Sequence, residues 1–175
     1  MVTVVSLQGS DQHTTMSLYL WIPDVNLREA MREHVKNRRR TDSGVDLLCP
    51  ATTLDFSQSP LAAEIKTGVV AAAKTITGAS APYLLLARSS TSLTPLRISN
   101  QVGLADMGYR GELIARVDCV DPTVKVYPIE HGRRLFQIVA HDWMPFVHIC
   151  VVNDPSELPS AVDARAGGGF GSTGQ

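Results

Sequence analysis

The feature that most constrains the fold is a series of short apolar runs in the second half of the chain, spaced about ten residues apart. Glycine, proline and polar turn residues separate them. The runs lie at residues 83–87, 113–117, 124–127, 135–140 and 146–152. Earlier candidate strands lie at residues 17–22, 44–48 and 64–76. Many short strands with turn signals between them predict an all-β sandwich, jelly roll or barrel.

In one segment the apolar residues recur at the spacing of a helix and not of a strand. Residues 25–36 place Leu27, Met31, His34 and Val35 on one face at helical spacing, which predicts a single short helix. Asn26 and Glu29 are predicted to form a capping box at its start. The helix and the residues after it are basic, with Arg28, Arg32, Lys36, Arg38, Arg39 and Arg40. A solvated helix face is the favoured interpretation, and a role in binding an anionic ligand or in nuclear import is the alternative.

Length and charge restrict the class of protein. A chain of 175 residues predicts one domain. The formal net charge of −1 gives no basis for bulk electrostatic binding to nucleic acid, and no apolar run is long enough to cross a membrane, so neither partner is expected. The three cysteines are odd in number and far apart, which favours free thiols in a reducing compartment. We therefore expect an intracellular protein, in the cytoplasm or the nucleus.

The last eleven residues, 165–175, have an unusual composition: five glycines, one aromatic, two hydroxyls and one arginine. Such a segment cannot build a core, so it predicts either a plain mobile tail or a lid over a nucleotide. In a lid, Phe170 could stack on a base, while Arg165, Ser172 and Thr173 could bind phosphate oxygens.

Four further clusters combine polar and glycine residues at the ends of predicted strands. They are Asp42-Ser-Gly-Val-Asp-Leu47, Ala87-Arg-Ser-Ser90, the segment 99–112, and Gly132-Arg-Arg-Leu-Phe-Gln137. The third predicts a tight β-hairpin carrying Asn100, Asp106 and Tyr109. Taken alone, each acid has an ordinary explanation as a turn residue, and the tyrosine as a core residue.

The five clusters, in this order, resemble the five motifs of the homotrimeric dUTPases, the deoxyuridine triphosphate nucleotidohydrolases. The resemblance runs from about residue 41 to residue 175. One motif alone is a weak signal, whereas five in order with matching internal spacing is a strong one. The departures from the family pattern are Ala87, Ser90, Arg133, Phe136 and Ala166, and none removes a residue to which the family assigns chemistry.

The resemblance implies an architecture. It is a jelly-roll or β-barrel subunit with one short extra N-terminal helix, assembled as a trimer whose active sites are shared between subunits. Residues 1–40 would be an N-terminal extension outside the resemblance, residues 41–160 the β domain, and residues 161–175 a flexible substrate-binding tail.

The resemblance also implies an activity, the Mg²⁺-dependent hydrolysis of dUTP to dUMP and pyrophosphate. This reaction keeps uracil out of DNA and supplies dUMP for dTTP synthesis. Asp106 would activate the water that attacks the α-phosphorus, and Asp46 would contact Mg²⁺ through water. The implied substrate-binding residues are Arg88, Ser89, Ser90, Asn100, Gly103, Tyr109, Arg134, Gln137, Arg165, Gly169, Phe170, Gly171, Ser172 and Thr173.

Two alternatives stay open. A dCTP deaminase of the same superfamily would share the Arg-Ser-Ser strand end, but that group resembles Arg-Ser-Ser-x-x-Arg, and Leu93 occupies the last position here. It also carries a glutamate where this chain has Arg116. The other alternative is a non-catalytic regulatory or binding protein that has kept the fold.

Overall fold

Twelve β-strands and one α-helix make up the part of the chain that the computed structural model describes, residues 16–161. Helix α1 spans Val25–Lys36. The strands, in chain order, are β1 Met16–Trp21, β2 Gly44–Asp46, β3 Thr52–Asp55, β4 Ala63–Thr75, β5 Ser80–Ala81, β6 Tyr83–Ala87, β7 Leu96–Ile98, β8 Gly103–Ala105, β9 Glu112–Cys119, β10 Val126–Ile129, β11 Phe136–Ala140 and β12 His148–Val152. The prediction of an all-β fold with one short helix is confirmed.

The strands form three sheets. The largest has the order β12-β1-β4-β9-β7, with β5 also paired to β4. A second sheet has the order β2-β11-β6-β8, and β10 pairs with β3 alone. Strand β1 runs parallel to β12 and antiparallel to β4. Residues 16–21 therefore lie inside the largest sheet, although they belong to the predicted N-terminal extension.

Alternation along the strands builds the core. In β9 the side chains of Leu113, Ala115 and Val117 are buried, and their neighbours along the strand are only partly buried. Phe136 of β11 and Tyr83 of β6 are fully buried in the same cluster. Burying one large apolar side chain contributes about 1.5–3 kcal/mol, so these strands are held by their inward faces.

Helix α1 begins at a different cap from the predicted one. The carboxylate of Asp24 accepts a hydrogen bond from the backbone N–H of Leu27 at 3.0 Å, so Asp24, and not Asn26 with Glu29, caps the helix. Leu27 and Met31 are buried, as the helical spacing predicts. Asp24 has the extended backbone that an N-cap residue needs, with φ −67° and ψ 116°, and its carboxylate reaches the N–H of the third helical residue.

The basic side chains of α1 are less solvated than expected. Arg32 donates through Nη2 to the carbonyl of Val151 at 3.2 Å and to Oδ1 of Asn153 at 2.7 Å. Arg28 donates to the carbonyl of Ile22 at 2.9 Å. These arginines fasten the helix to the C-terminal ends of the neighbouring strands β1 and β12, so the prediction of a wholly solvated face is wrong for them.

The segment predicted as a tight hairpin is not one. Strand β8 pairs with β6, whereas β9 pairs with β4 and β7. The two strands on either side of Asp106 therefore lie in different sheets. A pattern of turn residues between apolar runs predicts a chain reversal but does not determine which strand each run pairs with.

Two of the three cysteines, Cys49 and Cys119, are buried, Cys150 is partly buried, and all three are free thiols, in agreement with the prediction. Among residues 16–161, no helix has both the length and the apolar character needed to cross a bilayer.

Candidate functional site

A polar cleft of about 820 Å³ opens between the C-terminal end of α1 and the sheet β2-β11-β6. The sheet side contributes Asp42, Ser43, Gly44, Asp46, Arg88, Arg134 and Gln137, and the helix side contributes His34, Asn37, Arg38 and Arg39. Its volume is within the range of small-molecule binding sites. Three of the sequence clusters, those at residues 42–47, 87–90 and 132–137, meet here.

The carboxylate of Asp46 is the centre of the cleft. Its Oδ1 accepts a hydrogen bond from Nε of Arg88 at 2.7 Å, and its Oδ2 accepts one from Nη1 of Arg134 at 3.3 Å. The side chain of Asp46 is only 16% exposed, against 25% for Arg88 and 45% for Arg134. Charge-assisted hydrogen bonds in partly buried surroundings are stronger than neutral ones. Asp46 therefore holds both guanidinium groups toward the cleft.

Strand register brings these residues together. In the sheet β2-β11-β6, Gln137 of β11 lies opposite Asp46 of β2 on one side and Leu86 of β6 on the other. Arg88 directly follows β6, and Arg134 shortly precedes β11. Because adjacent antiparallel strands lie about 4.8 Å apart, this register places three distant sequence clusters at one sheet end.

Gly44 leaves the space that Gln137 occupies. A Cβ built on Gly44 would overlap Oε1 of Gln137 and lie 2.8 Å from its Cδ. The amide of Gln137 donates through Nε2 to the carbonyl of Ala87 at 3.2 Å, which links β11 to the end of β6. Only glycine at position 44 permits this close packing.

The serines that follow Arg88 lie at the same strand end. Ser90 accepts a hydrogen bond from Nη1 of Arg88 at 3.0 Å. Ser89 begins the short 3-10 turn Ser89–Leu93, its side chain is exposed, and its carbonyl accepts a hydrogen bond from the hydroxyl of Ser92 at 2.6 Å. Arg88 is thus fixed from both sides, by Asp46 and by Ser90.

Asp106 and Tyr109 lie away from the cleft. Strand β8 runs antiparallel to β6, and Ala105, the last residue of β8, pairs with Tyr83, the first residue of β6. Asp106 therefore continues beyond one end of β6, whereas Arg88 follows the other end. At about 3.3 Å per residue, the six steps from the level of Asp106 to Arg88 correspond to roughly 20 Å along the strand. Within a single chain, Asp106 therefore does not lie near Arg88 or Arg134.

The turn after Asp106 is well ordered by hydrogen bonds. The carbonyl of Asp106 accepts from the N–H of Tyr109 at 2.9 Å, and the hydroxyl of Tyr109 donates to the carbonyl of Glu112 at 2.7 Å. Burial raises the pKa of Tyr109 above its usual value, and the charge of Glu112 adds to the effect. The ring lies over Gly111, where an added Cβ would be 2.6 Å from the tyrosine oxygen. Gly111 thus permits the tyrosine its position, a role that the sequence did not indicate.

The predicted residues Asn100 and Gly103 lie at the start of β8. Asn100 is exposed in the turn before the strand, and its carbonyl accepts from the N–H of Val102 at 2.6 Å. Gly103 pairs with Leu85 of β6. The predicted tail residues Arg165, Gly169, Phe170, Gly171, Ser172 and Thr173 lie outside the described residues.

Sequence reasoning gave anion binding by the basic residues around α1 only as an alternative and did not place them in the site. His34, Asn37, Arg38 and Arg39 face the same space as Asp46. Nε2 of His34 lies 3.8 Å from Oδ2 of Asp46. Burial lowers the pKa of His34, Asp46 opposes this, and the charges of Arg134, Arg88 and Arg38 reinforce it. The available signal was the basic run directly before the cluster at 42–47, since a short connection keeps the two close.

The donor groups of the cleft suit a magnesium ion held indirectly. Within residues 16–161 no three His, Cys, Asp or Glu side chains cluster as a metal site. Both oxygens of Asp46 already accept hydrogen bonds from arginines, and the two guanidinium charges disfavour a cation bound directly to the same carboxylate. Mg²⁺ usually keeps several of its waters and is bound by few carboxylates together with substrate phosphates. Asp46 fits a contact to such an ion through water.

Several solved structures are similar to this one. A mutant dUTPase of Staphylococcus bacteriophage 80alpha, determined with dUpNHpp, aligns at a TM-score of 0.53 and 23% identity, covering 90% of this chain and 98% of that chain. The dUTPase from phage phi11 of S. aureus aligns at a TM-score of 0.51 and 23% identity over 70% and 87% of the two chains. A mutant of the phi11 enzyme, described with the coordination of a structural Mg(II) ion, aligns at 0.50 and 23% over 70% and 88%.

Sequence comparison alone finds no counterpart: no family model and no curated protein matches. The likeness is therefore one of backbone fold. The chain therefore has the fold of the phage dUTPases.

Proposed function

We propose that this chain hydrolyses dUTP to dUMP and pyrophosphate, with Mg²⁺ on the triphosphate. The observation that carries the proposal is the convergence of Asp46, Arg88, Arg134 and Gln137 on one cleft of a dUTPase fold. Two guanidinium groups held apart by a carboxylate between them can bind a polyphosphate chain through charge-assisted hydrogen bonds. The side-chain amide of Gln137 and the hydroxyls of Ser89 and Ser90 add neutral donors beside them.

Asp106 is the proposed general base. Its side chain is exposed at a turn, where a water and a phosphorus could both approach. Because a positioned carboxylate can deprotonate an attacking water, this contribution would be about 10²–10⁴-fold. Tyr109 follows in the same turn, and its ring would pack against the deoxyribose and exclude a 2′-hydroxyl. Asn100 and Gly103 at the start of β8 would bind the uracil.

The distance between Asp106 and Arg88 supports an assembly in which one active site uses residues of more than one subunit. Since β6 keeps the two roughly 20 Å apart within one chain, a working site needs the base from one subunit and the arginines from another. A homotrimer with shared sites meets this requirement. The tail, with Arg165, Gly169, Phe170, Gly171, Ser172 and Thr173, would close such a site over the base and the phosphates.

When bound, Mg²⁺ would neutralise charge on the phosphates. Asp46 would hold the ion's waters, and Arg88 and Arg134 would orient the phosphate chain in line with the attacking water. Each of these steps uses groups that already face the cleft.

A regulatory function is the second candidate. The 80alpha phage dUTPases are described as controlling the transfer of virulence genes by a G protein-like mechanism. A chain of this fold could bind a nucleotide and a partner protein without fast turnover. A deaminase is less well supported, because Arg116 forms an ion pair with Glu64 of β4 at 2.8 Å and lies at a strand position where the deaminases carry glutamate.

The deciding experiment is pyrophosphate release from dUTP, compared with dCTP, dTTP and UTP, with and without Mg²⁺. Release from dUTP alone, abolished by chelation, is the expected result. Ammonia release from dCTP would establish the deaminase instead. Binding of a non-hydrolysable dUTP analogue without turnover of dUTP would favour the regulatory candidate.

A further inference from the structure

The C-terminal end of α1 forms a wall of the phosphate cleft, although the resemblance to the dUTPase motifs begins only after it. His34 lies in the last turns of the helix, and Asn37, Arg38 and Arg39 follow directly. Opposite them stand Asp46 and the two arginines that it holds. A ligand in the cleft would therefore contact helix residues as well as strand-end residues.

This wall is held in a fixed position. Arg38 donates through Nε to the carbonyl of Gly44 at 3.3 Å and through Nη2 to the carbonyl of Asp42. The backbone N–H of Arg39 donates to Oδ2 of Asp42 at 3.3 Å. Asn37 caps the helix, with its amide donating to the carbonyl of Glu33 at 3.0 Å. The end of the helix and the loop to β2 are thus tied together by side-chain and backbone hydrogen bonds.

Arg39 differs from the other cleft arginines. Arg88 and Arg134 are paired with Asp46, and Arg38 is bound to backbone carbonyls. Across residues 16–161, the guanidinium of Arg39 has no hydrogen bond and no ion pair, and it is exposed. Arg39 lines the cleft, and no acidic side chain of the described chain forms an ion pair with its guanidinium.

The net positive charge of the cleft favours the binding of an anion. Four arginines and two aspartates line it, which leaves an excess of two positive charges with His34 neutral (4 − 2 = 2). Asp46 is only 16% exposed, whereas Arg39 is exposed and lines the opposite, helix side of the cleft. A polyphosphate bound to Arg88 and Arg134 on the sheet side would extend its free end toward this exposed edge, the rim of the cleft.

We propose that Arg39 binds the terminal phosphate of the nucleotide, so that the segment directly after helix α1 adds a triphosphate-recognising group to the site. This inference rests on the proposed function for its substrate, but its chemistry requires only a polyphosphate. Arg39 would favour nucleoside triphosphates over diphosphates and monophosphates, because only the longer chain reaches the rim. Arg38 would act as a positioning residue for the segment that carries it.

The chain provides a matched control. Arg40 is also exposed and also basic, but it does not line the cleft. Arg39→Ala and Arg40→Ala therefore change net charge equally while differing in position. Arg39→Ala keeps the backbone N–H that binds Asp42, so the loop keeps this hydrogen bond. Arg39→Lys keeps the charge but removes the planar donor fork.

The probe is inorganic tripolyphosphate, titrated by calorimetry into the full-length protein at low ionic strength. We expect Arg39→Ala to weaken its binding by about tenfold, the usual effect of losing one charge-assisted contact, and Arg40→Ala by less than about twofold. Arg39→Lys should lie between them. With dUTP, Arg39→Ala should raise KM by a similar factor and leave kcat nearly unchanged, and binding of dUMP should not change.

Equal effects of Arg39→Ala and Arg40→Ala would overturn the inference, because the cation at the rim would then act only through net charge. Absence of tripolyphosphate binding by the wild-type protein would also overturn it. If the wild type binds tripolyphosphate but does not hydrolyse dUTP, the proposed function fails, and the comparison of the two variants still decides whether Arg39 binds phosphate.

Discussion

Asp46 and Arg88 are 42 residues apart in the chain and joined by a hydrogen bond of 2.7 Å between Oδ1 and Nε. Arg134 approaches the other oxygen of the same carboxylate. The pairing has two consequences. It stabilises the end of the sheet β2-β11-β6, and it keeps two guanidinium groups oriented toward the cleft before any ligand is present.

Replacing this carboxylate should destabilise the fold. Asp46→Asn removes the charge that both arginines share, and we expect the free energy of unfolding to fall by about 1–3 kcal/mol, as for other partly buried hydrogen bonds to charged groups. Urea unfolding at pH 7 measures it. Glu64→Gln is the control, because the Glu64–Arg116 pair is 42% and 38% exposed and should contribute less than about 1 kcal/mol. Equal losses would contradict a special role for Asp46.

A methyl group at position 44 should disturb Gln137. Gly44→Ala would place Cβ where Oε1 of Gln137 lies, so the glutamine must rotate and lose its hydrogen bond to the carbonyl of Ala87. We expect a loss of about 1–3 kcal/mol in the free energy of unfolding. In the Gln137→Ala background the same substitution should cost much less, because the overlapping atoms are gone. A penalty of the same size in both backgrounds would mean that the strain arises elsewhere.

If Asp106 is the general base, its replacement should lower turnover without weakening nucleotide binding. Asp106→Asn should lower kcat for dUTP by at least about 10²-fold and leave the affinity for a non-hydrolysable dUTP analogue within a few-fold of wild type. Glu130→Gln, which removes an exposed acid that does not line the cleft, serves as the control for net charge. Turnover of Asp106→Asn close to that of wild type would mean that another group activates the water.

Because the thiol of Cys49 is buried, we expect the free energy of unfolding to fall at alkaline pH. Burial raises the pKa of its thiol to about 11, and the hydrogen bond to the backbone of Leu135 only partly opposes this. In the unfolded chain the thiol titrates near its ordinary pKa of about 8.5. Between these values the unfolded state has already lost the proton that the folded state keeps, so the free energy of unfolding falls as pH rises.

The measurement compares the pH dependence of the free energy of unfolding in the wild type and in Cys49→Ala. Between pH 7.5 and pH 10 the wild type should lose about 2 kcal/mol more stability than Cys49→Ala, since the alanine variant has no thiol to titrate. Other groups, such as the buried Tyr83, titrate in both proteins and cancel. An identical pH dependence in the two proteins would show that the thiol ionises equally easily in the folded state.

The amino-acid sequence by itself determined the class of fold and the helix. Local periodicity is enough for this, since alternation along β9 and the Leu27–Met31 spacing of α1 each reflect one element meeting the core. It also indicated Asp46, Arg88, Arg134 and Gln137 as one functional group, because their clusters resemble motifs of a known family in order.

Only the tertiary structure decided how these residues meet. The register of β2, β11 and β6 puts the four together, and the pairing of β8 with β6 places Asp106 beyond the other end of the strand. The basic run with Arg39 indicated an anion-binding role only as an alternative, because a solvated face and the wall of a cleft have the same local sequence signal. Strand pairing and the docking of a helix depend on contacts between residues far apart in sequence, and such contacts leave no periodic pattern in either segment.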